Sequence, residues 1–149
     1  MVHTSAWASS FLNGTMRSRM DSEMVLFRCC EAGVETAQMP ISAVPGAFEL
    51  PLAAKWMLEG ADPCDAVIAI GAVIRGETAH FDYVCQGVTQ GLMQLSLDSG
   101  KPAIFCVLTD DNIEQSRARS GGEHGNKGIE AAIACLKMLA LKNQKATKS

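Results

Sequence analysis

Ala66-Val67-Ile68-Ala69-Ile70-Gly71-Ala72 is an unbroken apolar run, rich in β-branched residues and bounded by turn signals. A strand with one wet face alternates polar and apolar positions. A continuous run is what a strand covered on both faces requires. Ala103-Ile104-Phe105-Cys106-Val107-Leu108 repeats the pattern. Between and around these two strands the period changes to that of a helix. Ala47, Leu50, Ala54, Met57 and Leu58 recur at helical spacing, with Pro51 early and Gly60 as the stop. Val84, Val88, Leu92 and Leu95 mark one face of a second helix ending near Gly100. Gly87 and Gly91 on that helix cost propensity, which implies close packing against a neighbour. Ile129, Ile133, Leu136 and Ala140 form the stripe of a third. With a short extended segment at residues 39–44, closed by Pro45-Gly46, strands and helices alternate from Ala37 onward. That order predicts an α/β protein of parallel βαβ units, with helices on both faces of one sheet. Ligands of such sheets gather at the carboxyl ends of the strands.

The amino-terminal third is less regular. Met16, Met20, Met24 and Phe27 repeat at three or four, predicting a helix over residues 13–32 that ends at Gly33. Residues 3–11 are then the first strand, although they carry more Ser and Thr than a central parallel strand ordinarily does.

The 149 residues fit one domain spanning 1–149, and a chain of that size buries roughly 70% of its unfolded surface. At 48% hydrophobic and 19% charged the balance is that of a globular protein. A net charge of −3 gives no footprint for nucleic acid. Lys142, Lys145 and Lys148 read as a solvated polar tail over residues 142–149. Six cysteines (Cys29, Cys30, Cys64, Cys85, Cys106 and Cys135) sit in apolar or helical surroundings with no C-x-x-C pair, and read as free buried thiols of a reducing compartment. No window approaches the ~20 apolar residues of a membrane span, and no secretory signal pattern opens the chain. A cytoplasmic protein is expected.

Three segments follow strands and are expected to meet at one sheet edge. In Val44-Pro45-Gly46-Ala47-Phe48-Glu49, the carboxylate of Glu49 reads as a helix-start residue serving the dipole. Gly71 to His80 (GAVIRGETAH) runs from a buried strand through a glycine-punctuated turn into a helix. Free amides there, with the Thr78 hydroxyl, make a seat for phosphate or another anion. His80 falls beside that seat. A lone His serves structure more often than chemistry; next to an anion seat the two readings stand level. Arg117 to Lys127 (RARSGGEHGNK) reads as a solvated loop, yet Arg119 and Lys127 are the cations placed to answer a phosphate. No Walker pattern, G-x-G-x-x-G or zinc spacing is present, so no metal site is expected.

Val44-Pro45-Gly46-Ala47-Phe48-Glu49-Leu50-Pro51, Gly71 to Tyr83 (GAVIRGETAHFDY) and Gly125-Asn126-Lys127-Gly128 resemble the three signature blocks of lumazine synthases. Phe105 with Val107-Leu108-Thr109, and Glu114-Gln115 ahead of Arg119, also fall where that family has them. The resemblance covers about Gly33 to Leu141 in unbroken order. It implies a flavodoxin-like, three-layer α/β/α subunit with a four-stranded parallel sheet, assembled into pentamers that in some members close into an icosahedral shell. The active sites lie between adjacent subunits. They join 5-amino-6-ribitylamino-uracil to 3,4-dihydroxy-2-butanone 4-phosphate without a metal or organic cofactor, giving 6,7-dimethyl-8-ribityllumazine, phosphate and water in riboflavin biosynthesis.

Residue by residue, the resemblance makes His80 the proton-transfer group. Gly76, Glu77 and Thr78 with Arg119 become the phosphate site. Ala47, Phe48, Glu49, Ala72, Val73 and Ile74 become pocket positions for the pyrimidine and ribityl chain. Phe105 and Lys127 are the neighbouring subunit's contribution. Two stretches depart from the family pattern. Its first strand is more apolar and ends in Arg-aromatic-Asn; Ser10-Phe11-Leu12-Asn13 is the nearest equivalent here, making Phe11 the stacking residue with Trp7 as competitor. Residues 1–33 are thus the divergent part of the chain. Glu123-His124 stands where the family has lysine and a small residue, adding negative charge near a phosphate site. These departures keep a second reading open, a catalytically weak shell-forming or flavin-binding homologue. A monomeric flavodoxin-like electron carrier fits poorly, since no phosphate loop follows the first strand.

Overall fold

The computed structural model describes residues 28–146 and the backbone of residues 7–10. Four strands, β1 (Trp7–Ser10), β2 (Ile41–Val44), β3 (Val67–Ile74) and β4 (Ala103–Asp110), form one sheet in the order β2-β1-β3-β4. Every pairing in it is parallel, as the alternation of strands and helices required. The helices are α1 (Leu50–Glu59), α2 (His80–Ser99), α3 (Ile113–Arg119) and α4 (Lys127–Ala146). An antiparallel hairpin of β5 (Ser120–Gly122) and β6 (Gly125–Asn126) links α3 to α4.

The run quoted at the outset is continuous because alternate residues enter two different cores. Val67, Ala69 and Val73 pack with Leu50, Ala54 and Leu58 of α1 and Val88, Leu92 and Leu95 of α2. Ile68 and Ile70 enter the opposite core with Ala131, Ala132, Cys135 and Leu139 of α4. Leu50, Leu58, Ile68, Ile70 and Leu92 are among the largest fully buried side chains. Each contributes about 1.5–3 kcal/mol by burial. β3 is an inner strand and its first five residues are buried; β4 lies at the sheet edge, and its first three are only half-buried.

Helix ends follow their sequence signals. Gly33, at φ +87°, closes the helical turn of residues 28–31: its N–H donates to the Cys30 carbonyl, and the Val34 N–H donates to that of Cys29. This pair of bonds is a Schellman cap, whose left-handed residue favours glycine. The rest of the helix expected over residues 13–32, the Met16, Met20, Met24 and Phe27 pattern, and all of the expected first strand but Trp7–Ser10 lie outside the described residues.

Several expectations need correction. The extended segment read at residues 39–44 is a strand only at Ile41–Val44, while Met39 is buried after a short 3-10 turn. The stripe read on the last helix is displaced. The face it buries is Gly128, Ala131, Ala132, Cys135 and Leu139; Ile129, Ile133 and Leu136 are half-buried and Ala140 is exposed. Small side chains there let the helix approach the sheet closely, leaving the bulkier residues to one side. All six cysteines are free, but not all are buried: Cys30 is exposed and Cys85 half-buried. No helix among the described residues is long and apolar enough to cross a membrane.

Candidate active site

Parallel pairing puts the carboxyl ends of the strands at one edge, where Val44 is level with Ser10 and Ile74 with Asp110. The segment after β2 turns through Pro45-Gly46 into a 3-10 turn, Ala47–Glu49, that leads into α1. Ala47 is buried, whereas Phe48 and Glu49 are exposed. Glu49 is the residue before α1 and makes no side-chain cap bond to it. Phe48 lies against α2 at Gly87, where a Cβ would stand 2.7 Å from its ring; a Cβ on Gly91 would stand 2.8 Å from the Pro51 ring. These are the close approaches that the two helix glycines implied.

At the end of β3, Val73 is buried and Ala72 and Ile74 are half-buried, while Gly76, Glu77, Thr78 and His80 are exposed. His80 is the first residue of α2. Ala79, at the cap position, makes no side-chain cap. The His80 N–H donates only a long bond, 3.4 Å, to Thr78 Oγ1. A helix of 20 residues therefore begins at the sheet edge without a side-chain cap, its Asp82 N–H turned back onto the Ala79 carbonyl at 3.0 Å.

The third segment is not the plain loop the sequence suggested, nor does it follow β4 directly. Asp111 and Asn112 occupy the edge, and α3 then carries the chain about 10 Å further on. Asn112 caps α3 by accepting from the Gln115 N–H at 3.0 Å. Arg119 ends that helix. Its guanidinium donates two 2.8 Å bonds to the Glu130 carboxylate and a further bond to the His124 carbonyl. Lys127 Nζ stands 3.5 Å from the same carboxylate. Glu130 thus joins the two cations, and the hydrogen bond from Arg119 is the main cause that holds its carboxyl below the ordinary range. Asn126 caps α4 through the Ile129 N–H. Glu123 and His124 form the hairpin tip, 3.6 Å apart and exposed.

The single chain does not bring all the candidates together. Arg119 and Lys127 meet through Glu130, and no hydrogen bond or ion pair among the described residues links them to Gly76, Glu77, Thr78 or His80 at the start of α2. Phe105 pairs with Ala69, half-buried, and lies about 16 Å back from the edge residue Asp110. Phe11 is outside the described residues. Arg75, Asp82, Asp111 and Glu130 escaped the sequence reading. Arg75 donates to Asp111 at 2.8 Å and pairs with Asp82 at 3.1 Å. Glu130 had a signal in its i, i+3 spacing from Lys127. Arg75 and Asp111 had none, because they are 36 positions apart. Among the described residues no group of His, Cys, Asp and Glu is arranged to hold a metal ion.

A parallel sheet with helices packed on both faces, an imidazole at the start of α2 and an arginine-lysine corner between α3 and α4 make this an α/β protein with two polar clusters beyond its strands. Comparison with known proteins names the family. Residues 9–143 match the profile of 6,7-dimethyl-8-ribityllumazine synthase. A protein of that name from Christiangramia forsetii is 49% identical over 141 residues, 95% of this chain and 80% of the relative. One from Porphyromonas gingivalis is 44% identical over 140 residues, covering 94% and 83% of the two chains. One from Flavobacterium johnsoniae is 59% identical over 101 residues, 68% of this chain and 53% of that longer relative. The chain belongs to the 6,7-dimethyl-8-ribityllumazine synthase family, transferases of riboflavin biosynthesis.

Proposed function

We propose that this chain condenses 5-amino-6-ribitylamino-uracil with 3,4-dihydroxy-2-butanone 4-phosphate to give 6,7-dimethyl-8-ribityllumazine, phosphate and water. The observation that carries this reading is the span of the family match, residues 9–143, which takes in every candidate residue from Phe11 to Lys127. The chemistry suits the groups available. The pyrimidine amine attacks the ketone, phosphate leaves, and the second nitrogen closes the ring. Each step moves protons and charge.

The phosphate is received by the amides of Gly76, Glu77 and Thr78 together with Arg119, and His80 moves the protons. Ala47, Phe48, Glu49, Ala72, Val73 and Ile74 hold the pyrimidine and its ribityl chain, with Phe11 stacked on the ring. Phe105 and Lys127 come from an adjacent subunit. Within one chain Lys127 pairs with Glu130 rather than with the start of α2, which supports that division, and with it a homopentamer, able in principle to close into a shell. The subunit is read as a flavodoxin-like three-layer domain in the cytoplasm, working without a cofactor.

The weak-shell reading retains one supporting observation: the Arg119 guanidinium is already engaged, Nη2 donating to both Glu130 oxygens and Nη1 to the His124 carbonyl. On the enzymatic reading, a bound phosphate shares or displaces that contact. Steady-state kinetics of two variants decide between them. Arg119→Ala removes a charge-assisted contact to a dianion, costing about 2–4 kcal/mol. His80→Ala is expected to cost less, because amine–ketone condensation and phosphate loss proceed slowly in water unaided. Equal kinetics for the two would place the phosphate elsewhere. A wild-type protein no faster than Arg119→Ala would favour the shell.

A further inference from the structure

Arg75 is the first residue beyond β3, and it is tied at both ends. Its N–H donates to the Asp110 carbonyl at 2.9 Å, adding one more bond to the β3–β4 ladder. Its Nε donates to Asp111 Oδ1 at 2.8 Å, and its terminal nitrogens reach Asp82 at 3.1 and 3.4 Å. The guanidinium carbon lies 4.1 Å from the centroid of Phe81, a buried ring. One side chain therefore grips Phe81 and Asp82 of α2 and the turn between β4 and α3.

The turn it is anchored to is itself fixed. The Asp111 N–H donates to Gln115 Oε1 at 2.8 Å, and Asn112 caps the same helix. The start of α2 has weaker support of its own: Ala79 offers no capping side chain, and the His80 N–H has only the 3.4 Å bond to Thr78 Oγ1. His80 is the residue directly before the gripped pair.

Exposure limits what this arrangement contributes to folding. The side chains of Arg75, Asp82 and Asp111 are 42%, 58% and 66% exposed, and ion pairs so exposed contribute little to folding. Their geometry is nonetheless specific. A planar fork engages two carboxylates from different elements while stacked on an aromatic face.

We propose that Arg75 is a positioning residue: it holds the first turn of α2, and with it His80, against the β4–α3 turn. The assignment rests on the reading of His80 as the proton-transfer group. Arg75 touches no substrate in this account and acts through the placement of its neighbour, where misplacement by about 1 Å is enough to slow a reaction substantially.

The test is a double-mutant cycle on kcat with Arg75→Met, which keeps the apolar stem over Phe81. Arg75→Met is expected to lower kcat about fivefold, by no more than His80→Ala does, with KM for both substrates changed less than about twofold. In the His80→Ala background the same substitution should leave kcat within about twofold, because nothing remains to be positioned. Arg75→Lys, which keeps the charge and loses the fork, should fall between. Equal losses in both backgrounds would mean a general structural role and would overturn the proposal, as would an unchanged kcat. If Arg75→Met does not fold, Asp82→Asn carries the same comparison: a smaller loss confined to the His80 background supports the proposal, and equal losses overturn it.

Amide exchange at Asp82 and Tyr83, whose N–H groups donate to the Ala79 carbonyl, reads the clamp without turnover and should quicken at least about fivefold in Arg75→Met or Asp82→Asn. Unchanged exchange overturns the clamp even in an active enzyme. A wild-type protein that turns over neither substrate overturns the enzymatic reading, and with it the positioning role, whatever the exchange shows.

Discussion

A methyl group on Gly87 would stand 2.7 Å from Cε2 of Phe48, so the backbone of α2 and the Phe48 ring are in direct contact. Four residues along, a methyl on Gly91 would meet Cβ and Cγ of Pro51 at 2.8 Å. The two contacts look alike but differ in what can yield. Phe48 is 59% exposed and free to turn, whereas Pro51 is a rigid ring within α1.

Gly91→Ala is therefore expected to destabilise by about 1–3 kcal/mol, since overpacking outweighs the ~1 kcal/mol that alanine gains in a helix. Gly87→Ala should leave stability nearly unchanged. Because it displaces Phe48, it should raise KM for the ribityl pyrimidine and leave KM for the butanone phosphate alone. Chemical denaturation and steady-state kinetics on the pair check both statements. A Gly91→Ala protein as stable as the parent would contradict the packing argument.

The Glu130 carboxyl has its pKa lowered by Arg119 first and by Lys127 second. A lowered folded-state pKa means a stabilising contribution that is present above the unfolded value, about 4.3, and lost as the pH falls through the folded one. The site is exposed, so the contribution should be under about 1 kcal/mol. Urea unfolding of the parent and Glu130→Gln should differ at neutral pH and converge below about pH 4. A difference that does not change with pH would remove the ionic account of this corner.

Burial pushes the Cys29 thiol up to about 11 and that of Cys135 up to about 12, and also raises Cys85. Only Cys30 is exposed. A thiol reagent at about pH 8, where an ordinary thiol begins to ionise, should label Cys30 first. Cys29 and Cys135 should react only after unfolding. Peptide mapping of the labelled protein gives the order, and early labelling of Cys135 would contradict the packing of α4 on the sheet.

The backbone register of β1 bears on which aromatic stacks on the pyrimidine. Trp7 pairs with Ile41 and Ile68, inside the sheet, whereas Ser10 is level with Val44 at the carboxyl edge. Phe11 follows Ser10 directly. Phe11→Ala is expected to weaken binding of the ribityl pyrimidine by the loss of one aromatic face, about 0.5–1.5 kcal/mol beyond area burial. Trp7→Ala should not. Titration of both variants with the pyrimidine decides it, and the reverse outcome would shift the register of the first strand by four residues.

What could be read from the sequence depended on how locally each feature is determined. β3 was legible because two cores claim its alternate residues, leaving no polar position in the run. Gly87 and Gly91 were legible as close contacts because glycine inside a helix otherwise only costs stability. The buried face of α4 was misread because Ile129 and Ile133 outrank Ala131 and Ala132 in hydrophobicity, while proximity to the sheet selects the smaller pair. α3 is short and polar, without an apolar stripe; its one local mark was Asn112 three residues before Gln115. The Arg75–Asp111 pair depends on Ile74 lying level with Asp110, a register that no local pattern encodes. The resemblance supplied the proton-transfer role expected of His80, and residue chemistry alone pointed Arg119 toward a phosphate, but the attachment of Arg119 to Glu130 comes only from the folded corner between α3 and α4.

The central claim is catalytic and is tested most directly by following product and phosphate together. The purified protein is mixed with 5-amino-6-ribitylamino-uracil and 3,4-dihydroxy-2-butanone 4-phosphate, and lumazine fluorescence and released phosphate are recorded in the same reaction. One phosphate per lumazine, at a rate proportional to protein and well above the spontaneous condensation, is the expected result. A rate equal to the spontaneous one, from a folded and assembled protein, would contradict the account.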